Sequence, residues 1–101
     1  MLDDGFTAFL ICFAEWMRKN GYSRRTIESW QVRLGYFFSW AEEQGLKRPQ
    51  EVTQGILDQY QHFLHEYRDK KGESLSFRAQ CGYLRPVKGY FKWLAKNNYI
   101  N

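Results

Sequence analysis

A chain of 101 residues, 44% hydrophobic and 26% charged, is long enough for one core and too short for two domains. No apolar run approaches the roughly 18 residues that span a bilayer, and the best candidate, Phe6 to Phe13, is soon followed by Glu15. The formal net charge of +4 has a single origin: residues 74–101 carry Arg78, Arg85, Lys88, Lys92 and Lys96 and no Asp or Glu, whereas residues 21–45 and 46–73 each balance to zero.

Four helices are expected in chain order. The first runs from about Phe6 to Asn20, with Phe6, Phe9, Leu10, Phe13, Trp16 and Met17 at the spacing of a buried stripe and Gly21 closing it. The second starts after Ser23, a good N-cap, and turns Ile27, Trp30, Leu34, Phe37, Phe38 and Ala41 to one side before Gly45 stops it. Leu46 to Val52, containing Pro49, reads as a connector. Thr53 then caps a third helix carrying Ile56, Leu57, Tyr60, Phe63, Leu64 and Tyr67, with Lys70, Lys71 and Gly72 at its end. The fourth follows Ser74 or Ser76 and reaches about Asn97, with Phe77, Leu84, Val87, Phe91 and Leu94 on its core side. Pro86 lies inside it and predicts a kink or break near Gly82 to Pro86, because an interior proline removes an N–H and crowds the preceding turn. No strand-like alternation of useful length occurs, so the fold class is all-α. Three helix ends share a phrase, Phe13-Ala-Glu-Trp16, Phe38-Ser-Trp40 and Phe91-Lys-Trp93-Leu94, which a common packing grammar explains as well as internal repetition does.

The chemistry-bearing residues are sparse. Asp3 and Asp4 replace the basic start of a secretory signal, so the expected compartment is the cytoplasm. Cys12 and Cys81 lack CxxC spacing and read as small, partly buried thiols. His62 and His65 have no third ligand near them and read as surface histidines. There is no Gly-rich phosphate loop, HExxH, GxSxG or recognisable acid-base pair, and Glu42 and Glu43 read as solvated charge. Catalysis, a metal and a cofactor are not expected of this chain.

Binding of an anion fits better. At 100° per residue, Arg78, Gly82, Arg85, Gly89, Lys92 and Lys96 fall within a stripe about 80° wide, with Phe77, Leu84, Val87, Phe91 and Leu94 roughly opposite. The two glycines suggest a bare backbone approached closely by a phosphate or base edge. A second cluster, Ser23, Arg24, Arg25 and Thr26, sits at the start of the second helix, where free N–H groups and the helix dipole already favour an anion. If both engage double-stranded DNA, about six phosphate contacts give a log-log salt slope of roughly −5.

Gly21-Tyr22-Ser23-Arg24-Arg25-Thr26 with Trp30, Leu34 and Phe37 resembles the second helix of the N-terminal, core-binding domain of tyrosine recombinases (phage integrases). Leu84, Val87, Lys88, Phe91, Lys92, Trp93 and Leu94, followed by Asn97 to Ile100, is similar to that domain's last helix. The resemblance covers about Phe6 to Asn101 and implies a four-helix SAM-like domain forming half of a C-shaped clamp on DNA. The catalytic domain and its nucleophilic tyrosine would lie in an absent C-terminal part, so residues 1–101 would be one domain of a longer recombinase, acting with other protomers. Trp30 where Tyr is usual, Pro86, Gly82 and Gly89 depart from the pattern.

Two other classes remain open from the residues alone. One is a small helical protein-interaction module whose basic face docks an acidic partner; the other is a free-standing helix-turn-helix regulator, although its most basic helix would lie in the wrong place.

Overall fold

The computed structural model describes residues 5–100; Asp3, Asp4 and Asn101 lie outside the described residues. Apolar residues recurring every three to four positions form α1 (Phe6–Lys19), α2 (Arg24–Glu43), α3 (Gln54–Glu66) and α4 (Phe77–Lys96). A 3₁₀ turn, Pro49–Glu51, lies in the connector, where Glu51 Oε1 accepts from the N–H groups of Lys47 at 2.7 Å and Arg48 at 2.9 Å. Those two bonds hold the Glu51 carboxyl below its ordinary pKa. The described residues contain no sheet, only an isolated antiparallel bridge between Arg68 and Ser74.

The expected caps start three of the helices. Ser23, Thr53 and Ser76 accept from the backbone N–H of Thr26 (3.1 Å), Ile56 (3.2 Å) and Ala79 (3.1 Å). Each such cap is worth about 1 kcal/mol.

The phrase shared by three helix ends corresponds to one shared ending. The N–H of Tyr22 bonds Met17 O, that of Leu46 bonds Ala41 O, and that of Tyr99 bonds Leu94 O. One residue earlier, Gly21, Gly45 and Asn98 bond Arg18, Glu42 and Ala95 carbonyls. All three intervening residues have positive φ, which is why glycine occupies two of the positions.

The core is largely aromatic. Phe37, fully buried, meets Tyr60 edge-on at 4.9 Å and Phe91 at 5.8 Å, while Phe6 stacks on Phe38 at 4.8 Å. Phe13 joins α1 to Trp30, Tyr90 and Trp93. Such pairs add about 0.5–1.5 kcal/mol each beyond the area they bury. Tyr90 is buried with its hydroxyl donating to the Phe6 carbonyl at 3.2 Å, which ties α4 to the start of α1.

Several expectations are corrected. Of the kink or break expected near Gly82 to Pro86, the break does not occur: α4 is one helix through Pro86, which is itself buried. The carbonyl that Pro86 cannot serve, four residues back at Gly82, is taken by Arg33 of α2, whose Nη1 donates to it at 3.3 Å. Phe77 is 82% exposed instead of in the core. α3 stops at Glu66 rather than at Lys70; Tyr67 is extended, and Arg68 Nη1 donates to the His65 and Tyr67 carbonyls. Cys12 is exposed instead of partly buried; Cys81 is half-buried as expected, and both thiols are free.

Candidate nucleic-acid interface

α4 has a buried side from Leu84 to Leu94 and an exposed basic side. Leu84, Val87, Tyr90, Phe91, Trp93 and Leu94 are buried, whereas Arg78, Arg85, Lys88, Lys92 and Lys96 are all exposed. A helix rises 1.5 Å per residue, so Arg78 to Lys96 is a ridge about 27 Å long, near the length of eight base-pair steps of B-DNA. None of its five cations has a carboxylate partner among the described residues. Other basic residues do have partners: Arg18 pairs with Glu15, Arg24 with Glu28 at 3.0 Å, and Arg33 with the Gly82 carbonyl. Cations left unpaired on a helix that contains no acid keep their full charge for a ligand outside the fold.

The glycines in this ridge have a different purpose from the expected one. A Cβ on Gly89 would lie 2.9 Å from the Trp30 indole, and one on Gly82 would meet the Arg33 guanidinium at 3.6 Å. Both glycines therefore face α2, not an outside ligand; at Gly89 the missing side chain lets the helices approach closely, whereas a Cβ at Gly82 would make only ordinary contact. Gly89 and Trp30, two of the four departures from the family pattern, compensate one another: the larger ring fits because the facing position has no side chain. Trp93, at the edge of the stripe, is only 7% exposed and is a core residue.

The second cluster holds as an end of α2. Ser23 Oγ caps the helix and lies 2.9 Å from Thr26 Oγ1, so the two hydroxyls are partly occupied with one another. Arg24 and Arg25 are exposed, Arg24 through its pair with Glu28 and Arg25 without a partner among the described residues. The α2–α4 seam runs antiparallel, with Trp30 opposite Gly89 and Tyr36 beside Tyr83. The start of α2 thus stands at the same end of the seam as Lys92 and Lys96. The geometry offers one cationic ridge on α4 with a second set of donors near its C-terminal end.

Sequence reasoning missed two features. Arg33 bridges α2 and α4 and lies 5.6 Å from the Tyr83 ring centre, which its position among apolar residues did not signal. Lys70 and Lys71 ride on a tight turn, not on a helix end: Asp69 Oδ1 accepts from the N–H of Lys71 (2.8 Å) and of Glu73 (2.9 Å), and Gly72 has φ +79°. Asp69 followed by glycine three residues on was the available signal.

No protein-family model matches the chain. A tyrosine recombinase, XerC 2 of Ralstonia nicotianae, is 36% identical over 94 residues, covering 93% of this chain and 27% of the relative. The chain therefore spans about a quarter of that relative's length. Among solved structures, the N-terminal domain of a phage integrase/site-specific recombinase from Haloarcula marismortui superposes with a TM-score of 0.74 at 22% identity, over 92% of this chain and 83% of the other. That similarity concerns the fold.

Proposed function

We propose that this chain, homologous to a tyrosine recombinase over most of its length and folded as the N-terminal domain of an integrase, is the non-catalytic DNA-gripping module of a site-specific recombinase. In this reading it holds a recombination half-site as one half of a clamp and positions a separate catalytic domain for strand exchange. Double-stranded DNA, that catalytic domain and other recombinase protomers are the partners.

The observation that carries the reading is the α4 ridge of five exposed cations with no carboxylate partner. A surface used only for solubility is usually laced with acids that relieve like-charge repulsion along the helix, and this one has none. Arg78, Arg85, Lys88, Lys92 and Lys96 would meet phosphates along one side of the duplex. Ser23, Arg24, Arg25 and Thr26 would add contacts from the start of α2, where the Thr26 hydroxyl proton and the first-turn N–H groups remain available.

The test is fluorescence anisotropy of the chain with a labelled duplex at low and moderate salt. Binding at low salt that falls steeply as salt rises supports the reading. No binding at low salt overturns it and favours a protein-interaction module.

A further inference from the structure

We propose that the aromatic-walled cavity between α2, α3 and the start of α4 is a binding site for a cationic side chain, the guanidinium or ammonium group of an Arg- or Lys-bearing peptide on a protein partner. The cavity has a volume of about 350 Å³ and takes rings from three helices and the turn after α3: Tyr36, Trp40, Tyr60, Phe63, Tyr67 and Tyr83. The rings fall into two groups. Trp40 lies 5.1 Å from Tyr60, Tyr60 lies 6.0 Å from Phe63, and Phe63 lies 6.2 Å from Tyr67, while Tyr36 and Tyr83 pair at 6.0 Å. Trp40 and Tyr60 are buried, but Tyr36, Phe63 and Tyr67 are 56%, 41% and 43% exposed. Three large rings are thus left open to a ligand at one place.

Charge decides which ligand. The faces of aromatic rings carry negative potential, and the charged residue lining the cavity is Glu43, whose carboxylate has no ion pair or hydrogen bond among the described residues. No Lys or Arg lines it, in a chain whose net charge is +4. An apolar peptide seated here would strip water from Glu43 and give nothing back, which disfavours it. A cation both pairs with the carboxylate and lies against the rings. The fold already uses one of these rings in this way, since the Arg33 guanidinium sits 5.6 Å from the Tyr83 centre. The site is separate from the α4 ridge, none of whose cations lines it, and does not depend on the DNA-binding reading.

The test is an amide-resolved NMR titration of the chain with three capped tripeptides, Gly-Arg-Gly, Gly-Lys-Gly and the neutral Gly-Gln-Gly. The expected result is saturable shifts confined to Ser39, Glu43, Phe63, Tyr67 and Tyr83 with the two cationic peptides, and affinity at least ~5-fold weaker for the neutral one. Glu43→Gln, an exposed substitution whose fold the same spectra verify, should weaken the cationic peptides ~5-fold, and Phe63→Leu should do so without touching the charge. Equal binding of the neutral peptide overturns the proposal, as do shifts unchanged by Glu43→Gln. Shifts at these residues that appear on concentrating the chain alone, or on adding duplex DNA in place of peptide, would assign the cavity to a second copy or to a nucleic-acid base and equally overturn it.

Discussion

Arg33 donates through Nη1 to the Gly82 carbonyl, 49 positions away, at the point where Pro86 deprives that carbonyl of its partner within the helix. The half-buried guanidinium thus replaces a lost helical hydrogen bond and joins α2 to α4 in one contact. Removing it leaves the oxygen unpaired, so Arg33→Met should destabilise the chain by about 1–3 kcal/mol. Pro86→Ala restores an N–H to the Gly82 carbonyl and should absorb part of that loss. A double-mutant cycle of urea unfolding should show a coupling of about 1 kcal/mol; additive effects would mean that Arg33 acts only through its contact with Tyr83.

The facing of Trp30 by Gly89 makes two helical glycines behave in opposite ways. Alanine is favoured over glycine by about 1 kcal/mol inside a helix. At Gly35, where an added Cβ has nothing within 4 Å, that gain should appear in full. At Gly89 the new carbon would lie 2.9 Å from the Trp30 ring, and the overpacking, about 1–3 kcal/mol, should outweigh it. Thermal unfolding of Gly35→Ala and Gly89→Ala should therefore shift in opposite directions. Adding Trp30→Tyr, the smaller ring, should recover much of the Gly89→Ala loss.

These pairings mark the boundary of what one sequence discloses. Ser23, Thr53 and Ser76 were legible as caps because a cap is chemistry within four residues. The sidedness of α4 was legible because Val87 and Leu94 recur opposite Arg85 and Lys92 at helical period. The reason for Gly89 was not, since it resides in a ring on another helix, and periodicity gives no distance between helices. Phe77 shows a second limit: a repeat tells which side of a helix is apolar, but not where along its length neighbours cover it. Tyr67 shows a third, because the stop after Glu66 comes from Arg68 reaching back to two carbonyls and from the Asp69 turn, with no Gly or Pro before Gly72 to announce it. For the candidate interface, the exposure of the basic residues was legible and the arrangement of α2 against α4 was not.

Neutralising single residues of the ridge should weaken duplex binding without unfolding the chain, since the side chains are exposed and unpaired. Arg85→Ala and Lys92→Ala should each lower affinity several-fold and reduce the magnitude of the log-log salt slope by about 1. Lys19→Ala, on α1, keeps the same change in net charge and should leave the slope unaltered. If Lys19→Ala proves as harmful as Arg85→Ala, binding follows net charge and not the ridge.

Alkaline pH should expose the buried phenols. Burial pushes the Tyr60 hydroxyl from 10.0 up to about 12, and burial raises Tyr90 further still. Their folded pKa values exceed the unfolded ones, so their contribution is fully present below pH 10 and is lost as pH rises through the folded values. Each tyrosine should add a fall of about 1.4 kcal/mol per pH unit once the unfolded chain ionises. Tyr60→Phe keeps the ring and removes one of the two, so urea midpoints from pH 9 to 11.5 should fall less steeply for it. Tyr90→Phe is the poorer probe because it also loses the bond to the Phe6 carbonyl.

Asn98 ends α4 with φ +61°, the position that Gly21 and Gly45 fill at the ends of α1 and α2. The ending matters because the next residue, Tyr99, packs between Phe9 at 5.2 Å and Trp93 at 5.4 Å, holding the start of α1 against the end of α4. Asparagine tolerates a left-handed backbone better than alanine does, where the Cβ contact costs about 1–2 kcal/mol. Glycine removes that cost but adds disorder to the unfolded chain, worth about 0.4–1 kcal/mol in the other direction. Asn98→Gly should therefore be close to neutral, and Asn98→Ala should destabilise by about 1 kcal/mol. Hydrogen exchange locates the effect: the Tyr99 N–H, bonded to Leu94 O at 2.9 Å, should lose protection in Asn98→Ala and keep it in Asn98→Gly. Equal protection in the two variants would mean that the Tyr99 ring, not the backbone turn, fixes the end of α4.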